Sequence, residues 1–275
     1  MRCLVVSDIH SNLDALEAVV ADAGAVDRVW CLGDIVDGGP RPNECVDLLR
    51  RLEAVSVAGN HDRWVLGDFG PDIRANAAVM ASNDWTISQL RPDNLAYLAA
   101  LPERVVVGNV TLIHTLSGDL HPPKPAHFAT FATPYCLVGH THTRFVALPP
   151  GSAADPFSPE AHTTIELADG SSGASTTEGR PVARAVVNPG AVSRSFTQTR
   201  LAEYMLYDLD ERTGAGTLTQ RMVSYSMPSV IEQLRAAGAP ATVVAGWEAY
   251  ARGQLAPVMR EAVANHYPWV LPSVR

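Results

Sequence analysis

Short apolar runs alternate with segments of helical period through the first sixty residues. The pattern predicts strands near 2–7, 28–32 and 54–58, with helices near 13–23 and 43–52 between them, an alternation that reads as βαβ units around a mainly parallel sheet. Residues 72–101 keep helical spacing through Ile87, Leu90, Leu95 and Leu98, with Pro92 suited to a first helical turn and Leu101-Pro102 closing the segment. Further strands are predicted at 104–107, 110–114, 135–138 and 144–148. The Gly108-Asn109 link between the first two is a hairpin signal, so pairing in the second half turns antiparallel.

Residues 149–181 are rich in Ser, Ala, Gly, Thr and Pro, which reads as a surface insertion carrying a short strand at 162–167. Strands at 183–187, 203–208 and 216–224 follow. From Pro228 onward the chain reads as short helices and a Pro-containing apolar tail, with no internal repeat. The expected organisation is one main domain over 1–227 with a helical extension, 228–275, packed on it. Trp247, Tyr250, Tyr267 and Trp269 in that extension suit either core packing or a contact between copies of the chain.

With 275 residues and 47% apolar content the chain can bury a substantial core. A net charge of −8 argues against non-specific nucleic-acid binding or an anionic membrane surface, both of which need clustered Lys and Arg; a single nucleotide is compatible. Cys3, Cys31, Cys45 and Cys136 form no CxxC pair and read as reduced core thiols. No stretch approaches 18 apolar residues and MRCLVVSDIH lacks a secretory core, so a cytoplasmic location is expected.

The chemistry sits where apolar runs stop: Asp8 and His10 after LVVS, Asp34 after VWCLG, Asn60 and His61 after VSVAG, His114 after VTLI, and His140 and His142 after CLVG. In open α/β sheets the carboxyl ends of strands form the ligand crevice, so these groups can converge. Two carboxylates, four imidazoles and one amide carbonyl suit two divalent cations, with mixed nitrogen and oxygen ligation favouring manganese, iron or zinc over magnesium or calcium. In an extended segment alternate side chains share a face, so DxH and HxH each present two ligands together. Each piece alone is ordinary: GNHD can be a turn and a lone histidine is usually packing. Their occurrence in order is what points to a metal site.

The set D-x-H at 8–10, GD at 33–34, GNHD at 59–62, His114 and GHTH at 139–142 resembles the calcineurin-like metallophosphoesterase superfamily. GDIVDGGPRPNECVDLL, GNHDRW and VVNPGAVSRS further resemble a prokaryotic branch of small phosphodiesterases and diadenosine-tetraphosphatase-like proteins. The resemblance implies a four-layer αββα sandwich of two mixed sheets flanked by helices. It implies one metal on Asp8, His10, Asp34 and His142 and a second on Asp34, Asn60, His114 and His140, manganese or iron first, zinc or nickel as alternatives. It also implies in-line attack on a phosphate ester, preferentially a diester, by a hydroxide bridging the metals. His61 would protonate the leaving group, with Asp37 orienting its ring. Arg194, beyond the Asn188-Pro189-Gly190 turn, and Arg144 are weaker candidates for substrate contact.

Eukaryotic-type protein phosphatases of the superfamily carry an arginine after the GDxVD segment, where this chain has Gly38, which removes a fork-shaped phosphate clamp. Phosphomonoesterase, nucleotide pyrophosphatase and protein phosphatase stand as alternatives on the same core, and a non-catalytic binding scaffold as a rival of another class. His121, His127, His162 and His266 read as surface or packing residues.

Overall fold

The computed structural model describes residues 1–74, 76–117, 123–149, 164–167, 183–196, 199–212 and 215–254. The expectations for His121, His162 and His266, for most of 149–181, and for Tyr267, Trp269 and the apolar tail lie outside the described residues. The chain begins β1 (Arg2–Val6), α1 (Leu13–Ala23), β2 (Arg28–Cys31), α2 (Pro42–Arg51), β3 (Val55–Ser56), α3 (Asn60–Trp64), α4 (Pro71–Arg74), α5 (Ala77–Gln89) and α6 (Pro92–Ala100). It continues β4 (Arg104–Val107), β5 (Val110–Ile113), a 3₁₀ turn (Pro125–Ala129), β6 (Tyr135–Leu137), β7 (Phe145–Ala147), β8 (Thr164–Leu167) and β9 (Ala185–Asn188). β10 (Ala202–Leu209), β11 (Gly216–Val223), α7 (Met227–Ala236) and α8 (Ala241–Ala251) complete it.

Two mixed sheets result, in the orders β3-β2-β1-β10-β11-β8 and β4-β5-β6-β9-β7. β1, β2 and β3 run parallel, as do β5, β6 and β9, and the remaining pairs are antiparallel. The strand alternation decides what faces what. Cys3 and Val5 of β1 join Trp30, Leu112, Tyr135, Leu137, Val187 and Tyr207 in the core between the sheets. Leu4 and Val6 point the other way, onto Leu16, Val19, Val46 and Leu49 of α1 and α2. Among the described residues, the outer face of the second sheet packs Cys136, Phe145 and Val186 against Phe128 and Phe131 in and beside the 3₁₀ turn.

The hairpin forms as expected, Val107 pairing Val110 across Gly108-Asn109, with Gly108 at φ 56°. The insertion contributes β8, paired antiparallel to β11. The helical stretch at 72–101 divides into three helices. Arg91, at φ −74° and ψ 149°, leaves the helical region because Pro92 follows it, and the proline opens α6. The strand expected at 54–58 shortens to Val55–Ser56. All four cysteines are free and buried. Among the described residues no helix is long and apolar enough to cross a membrane.

α7 and α8 pack on each other and on the body through Val230, Leu234 and Trp247, with Trp85 and Tyr225 alongside. Trp247 Nε1 donates to Gly38 O at 2.7 Å and Tyr250 OH accepts from Ser195 N at 3.0 Å. Both aromatic rings are buried, so they serve core packing. α8 therefore reaches the loops at the carboxyl ends of β2 and β9.

Candidate metal centre

The sequence-predicted site residues follow parallel strands of both sheets: Asp8 and His10 after β1, Asp34 and Asp37 after β2, Asn60 and His61 opening α3 after β3, His114 after β5, His140 and His142 after β6. The two parallel sets therefore end at one crevice. The loops are tied by backbone bonds that run beyond the strands: Asp8 N to Gly33 O (3.1 Å), His10 N to Asp34 O (2.9 Å), Gly139 N to His114 O (2.9 Å) and Ser193 N to Asp8 O (3.1 Å). Asp8, His10, Ser11, Asp34, Asp37, His140 and His142 all have positive φ, between 47° and 73°. Left-handed non-glycine backbone costs about 1–3 kcal/mol per residue and persists only where surroundings over-determine it. Its concentration here, with Asp and His among the residues that tolerate it best, marks a site built at the expense of local stability.

Two donor groups share Asp34. Asp8, His10, Asp34 and His142 present ligand atoms all within 4.8 Å of one another, and so do Asp34, His114 and His140. Within the first, His10 Nε2 lies 3.0 Å from His142 Nε2 and 3.6 Å from Asp34 Oδ2, and His142 Nε2 lies 3.3 Å from Asp8 Oδ1. Within the second, His114 Nε2 lies 3.3 Å from Asp34 Oδ2, and Asn60 Oδ1 approaches His114 Nε2 (3.1 Å) and His140 Nδ1 (2.8 Å). Backbone carbonyls fix the rings from behind. His10 Nδ1 faces Asp37 O (3.1 Å), His114 Nδ1 faces Leu32 O (2.7 Å) and His142 Nδ1 faces Arg194 O (2.7 Å), so each donates there and turns its Nε2 lone pair inward.

Burial, followed by repulsion from neighbouring imidazoles, pushes His10 well down and His140 down to about 3; burial takes His142 down to about 4. These rings are neutral and able to ligate. Burial and the nearby Asp34 push Asp8 up to about 7. Burial also opposes ionisation of Asp34, but His114 and His61 hold its carboxyl well below the usual range. Burial disfavours His114 as a cation, yet Asp34 and Asp8 raise it to about 9. Buried carboxylates that draw positive charge onto His114, beside the neutral rings of His10, His140 and His142 and an amide oxygen, fit borderline divalent cations, for which His114 would give up its proton.

Beside the shared aspartate, His61 N donates to Asp34 Oδ1 at 2.8 Å, and His61 Nδ1 lies 2.7 Å from Asp37 Oδ2. Burial opposes protonation of His61, but Asp34 and Asp37 outweigh it and raise its pKa. Asp37 is buried, with Oδ1 accepting from Ser82 Oγ (2.6 Å) and Thr86 Oγ1 (3.2 Å). It is therefore no solvated turn residue. Ser82 and Thr86 escaped the sequence reading; their only signal is two hydroxyls four apart on one face of α5. Asp62 was also missed: it accepts from Gly59 N (2.9 Å), Ile35 N (2.9 Å) and Val36 N (3.2 Å), locking the loop after β2 to α3.

The loops cross so closely that glycine is required. A side-chain carbon on Gly59 would overlap both the Asp34 carboxylate and its backbone nitrogen. Gly59→Ala is expected to destabilise the fold by roughly 1–3 kcal/mol, the usual cost of forced overpacking, seen as a lower urea midpoint at unchanged slope.

The remaining candidates separate. Asn188 Nδ2 donates to Gly139 O (2.7 Å) and Thr141 Oγ1 (3.0 Å), so the Asn188-Pro189-Gly190 turn braces the GHTH loop. Arg144 is buried 3.4 Å from Glu203, an ion pair within the fold. Arg194 is half-buried over Trp247. His127 Nδ1 accepts from Lys124 N (3.1 Å) at the start of the 3₁₀ turn, a local packing role.

The family described as Calcineurin-like phosphoesterase superfamily domain matches residues 1–212, and the chain belongs to that superfamily. Within it, the chain is similar to the solved structure of a metallophosphoesterase from Sphaerobacter thermophilus, 36% identical, covering 91% of this chain and 99% of that one at a TM-score of 0.71. An uncharacterised protein of Methanocaldococcus jannaschii is 36% identical over 154 residues, 52% of this chain and 63% of that protein. A symmetrical bis(5'-nucleosyl)-tetraphosphatase of Aromatoleum aromaticum is 30% identical over 124 residues, 42% of this chain and 44% of that protein. The chain thus spans less than two-thirds of the length of these curated relatives. The superfamily and its sandwich of two mixed sheets agree with the expectation from the sequence motifs.

Proposed function

We propose that the chain is a dinuclear metal-dependent phosphoesterase that prefers phosphodiesters. The observation that carries this reading is the pair of donor groups overlapping at Asp34. Asp8, His10, Asp34 and His142 would hold one ion, and Asp34, Asn60, His114 and His140 the other, with manganese or iron the first choice. Divalent ions there would supply positive charge to the phosphoryl oxygens and a water acidic enough to attack phosphorus at neutral pH. His61 Nδ1 gives its hydrogen to Asp37, which leaves Nε2 to deliver a proton to the departing oxygen. Asp37, held by Ser82 and Thr86, positions that ring. The buried thiols are compatible with a reducing, cytoplasmic setting. The reading treats 1–227 as the catalytic body and 228–275 as an extension of the same domain.

Gly38, which stands where the eukaryotic-type protein phosphatases carry an arginine, weighs against a protein-phosphatase reading. The tetraphosphatase relative makes nucleotides the first natural substrates to test. Loaded separately with manganese, iron, zinc and nickel, the protein is expected to retain two ions per chain and to turn over bis(p-nitrophenyl) phosphate faster than p-nitrophenyl phosphate. Cyclic nucleotides and dinucleoside polyphosphates follow. Dominant monoester turnover would overturn the diester preference, and inactivity with all four metals would favour a binding scaffold.

A further inference from the structure

We propose that Arg194 is a phosphate-oxygen clamp, supplied from the loop after β9 and standing beside the point where a side chain at position 38 would begin. The inference deepens the phosphoesterase reading and rests on it. Arg194 Nη2 lies 3.5 Å from the point that a side-chain carbon on Gly38 would occupy. Its Cζ stands 4.9 Å from the centre of the Trp247 ring, and Trp247 Nε1 is bonded to Gly38 O, so platform and guanidinium are fixed to one loop. The backbone carbonyl of Arg194 receives the His142 Nδ1 hydrogen, which ties the residue to the metal-side loop as well.

The guanidinium is half-buried, and among the described residues no carboxylate is bonded to it. Among the described residues its Nε is buried with no hydrogen-bond partner, and its Cζ stands over the face of Trp247, with Tyr225 and Tyr250 near enough to bear on its charge. Asp37, the carboxylate whose field reaches it, has both oxygens engaged by His61, Ser82 and Thr86. A buried cation left unpaired is costly, and an anion at the metal centre is the partner that would relieve it. Arginine suits the role because its planar fork stacks on an indole while its edge still presents N–H groups to phosphate oxygens.

The test is calorimetric titration of inorganic phosphate into the metal-loaded full chain and its variants. R194A is expected to bind phosphate roughly 10–100-fold more weakly, the range for a lost charge-assisted hydrogen bond. Its KM for bis(p-nitrophenyl) phosphate should rise in parallel, with two metals still bound. R194K, which keeps the charge and loses the fork, should fall between R194A and the parent chain. W247L should lose part of the same affinity while Arg194 is still present. Phosphate binding by R194A and R194K within twofold of the parent, with the melting temperature unchanged, would overturn the clamp. Metal content and turnover of the parent chain judge the phosphoesterase reading separately. If R194A fails to fold, the comparison of R194K and W247L with the parent decides.

Discussion

Asp34→Asn is expected to release both metals at once and to lower phosphodiester turnover by more than about 10²-fold, the upper end of what losing a group that merely supports a ligand costs. The size of the effect follows from position. Asp34 is common to both donor groups, whereas Asp8 belongs to one. It also accepts the His61 backbone hydrogen at 2.8 Å, so the same carboxylate holds the residue proposed to protonate the leaving group. Asparagine preserves the volume in a site with no room even for a side-chain carbon on Gly59, so the variant should fold. Elemental analysis after gel filtration is the measurement, with Asp8→Asn as comparison. Asp8→Asn should lose chiefly one ion; if Asp34→Asn does no worse, Asp34 does not bridge two sites.

The convergence of the candidate donors was legible because each follows an apolar run, and all but His114 sit in a short motif there, so that one sequence signal marks both the strand and its end. Asp8 and His142 could be picked out that way although the contact between them spans more than a hundred residues. The supporting side was not legible. Ser82 and Thr86 reach Asp37 across 45 and 49 residues from α5, and the sequence of that helix carries no sign of which face meets the β2 loop. Trp247 is similar: an aromatic residue in a short helix announces burial, but its bond to Gly38, 209 residues away, depends on how α8 docks. Local backbone strain was equally invisible, since Asp and His carry positive φ here for reasons set by crossing loops. In the fold, the helical period of 72–101 identified the elements but not the break at Leu90-Arg91, because a proline that opens one helix also ends its predecessor.

His61→Ala should retain both metals yet lower turnover by about 10²–10⁴-fold on a diester with an alkoxide leaving group, the usual worth of general acid–base catalysis. On bis(p-nitrophenyl) phosphate the loss should be far smaller, because nitrophenolate departs without a proton. That leaving-group dependence separates proton delivery from a merely structural role, which would depress both substrates alike. Asp37→Asn makes a finer test. The amide can still accept from Ser82 and Thr86 at one oxygen, so α5 stays docked, but an N–H placed against His61 Nδ1 forces the ring to give up the tautomer that leaves its proton on Nδ1. Asp37→Asn should therefore show the leaving-group dependence of His61→Ala at reduced amplitude, about 10–100-fold on the alkoxide substrate, as expected for a residue acting through another. In the double variant the two losses should not add, because Asp37 has nothing to orient once the imidazole is gone. Full additivity would mean that Asp37 acts by another route, through its backbone carbonyl to His10.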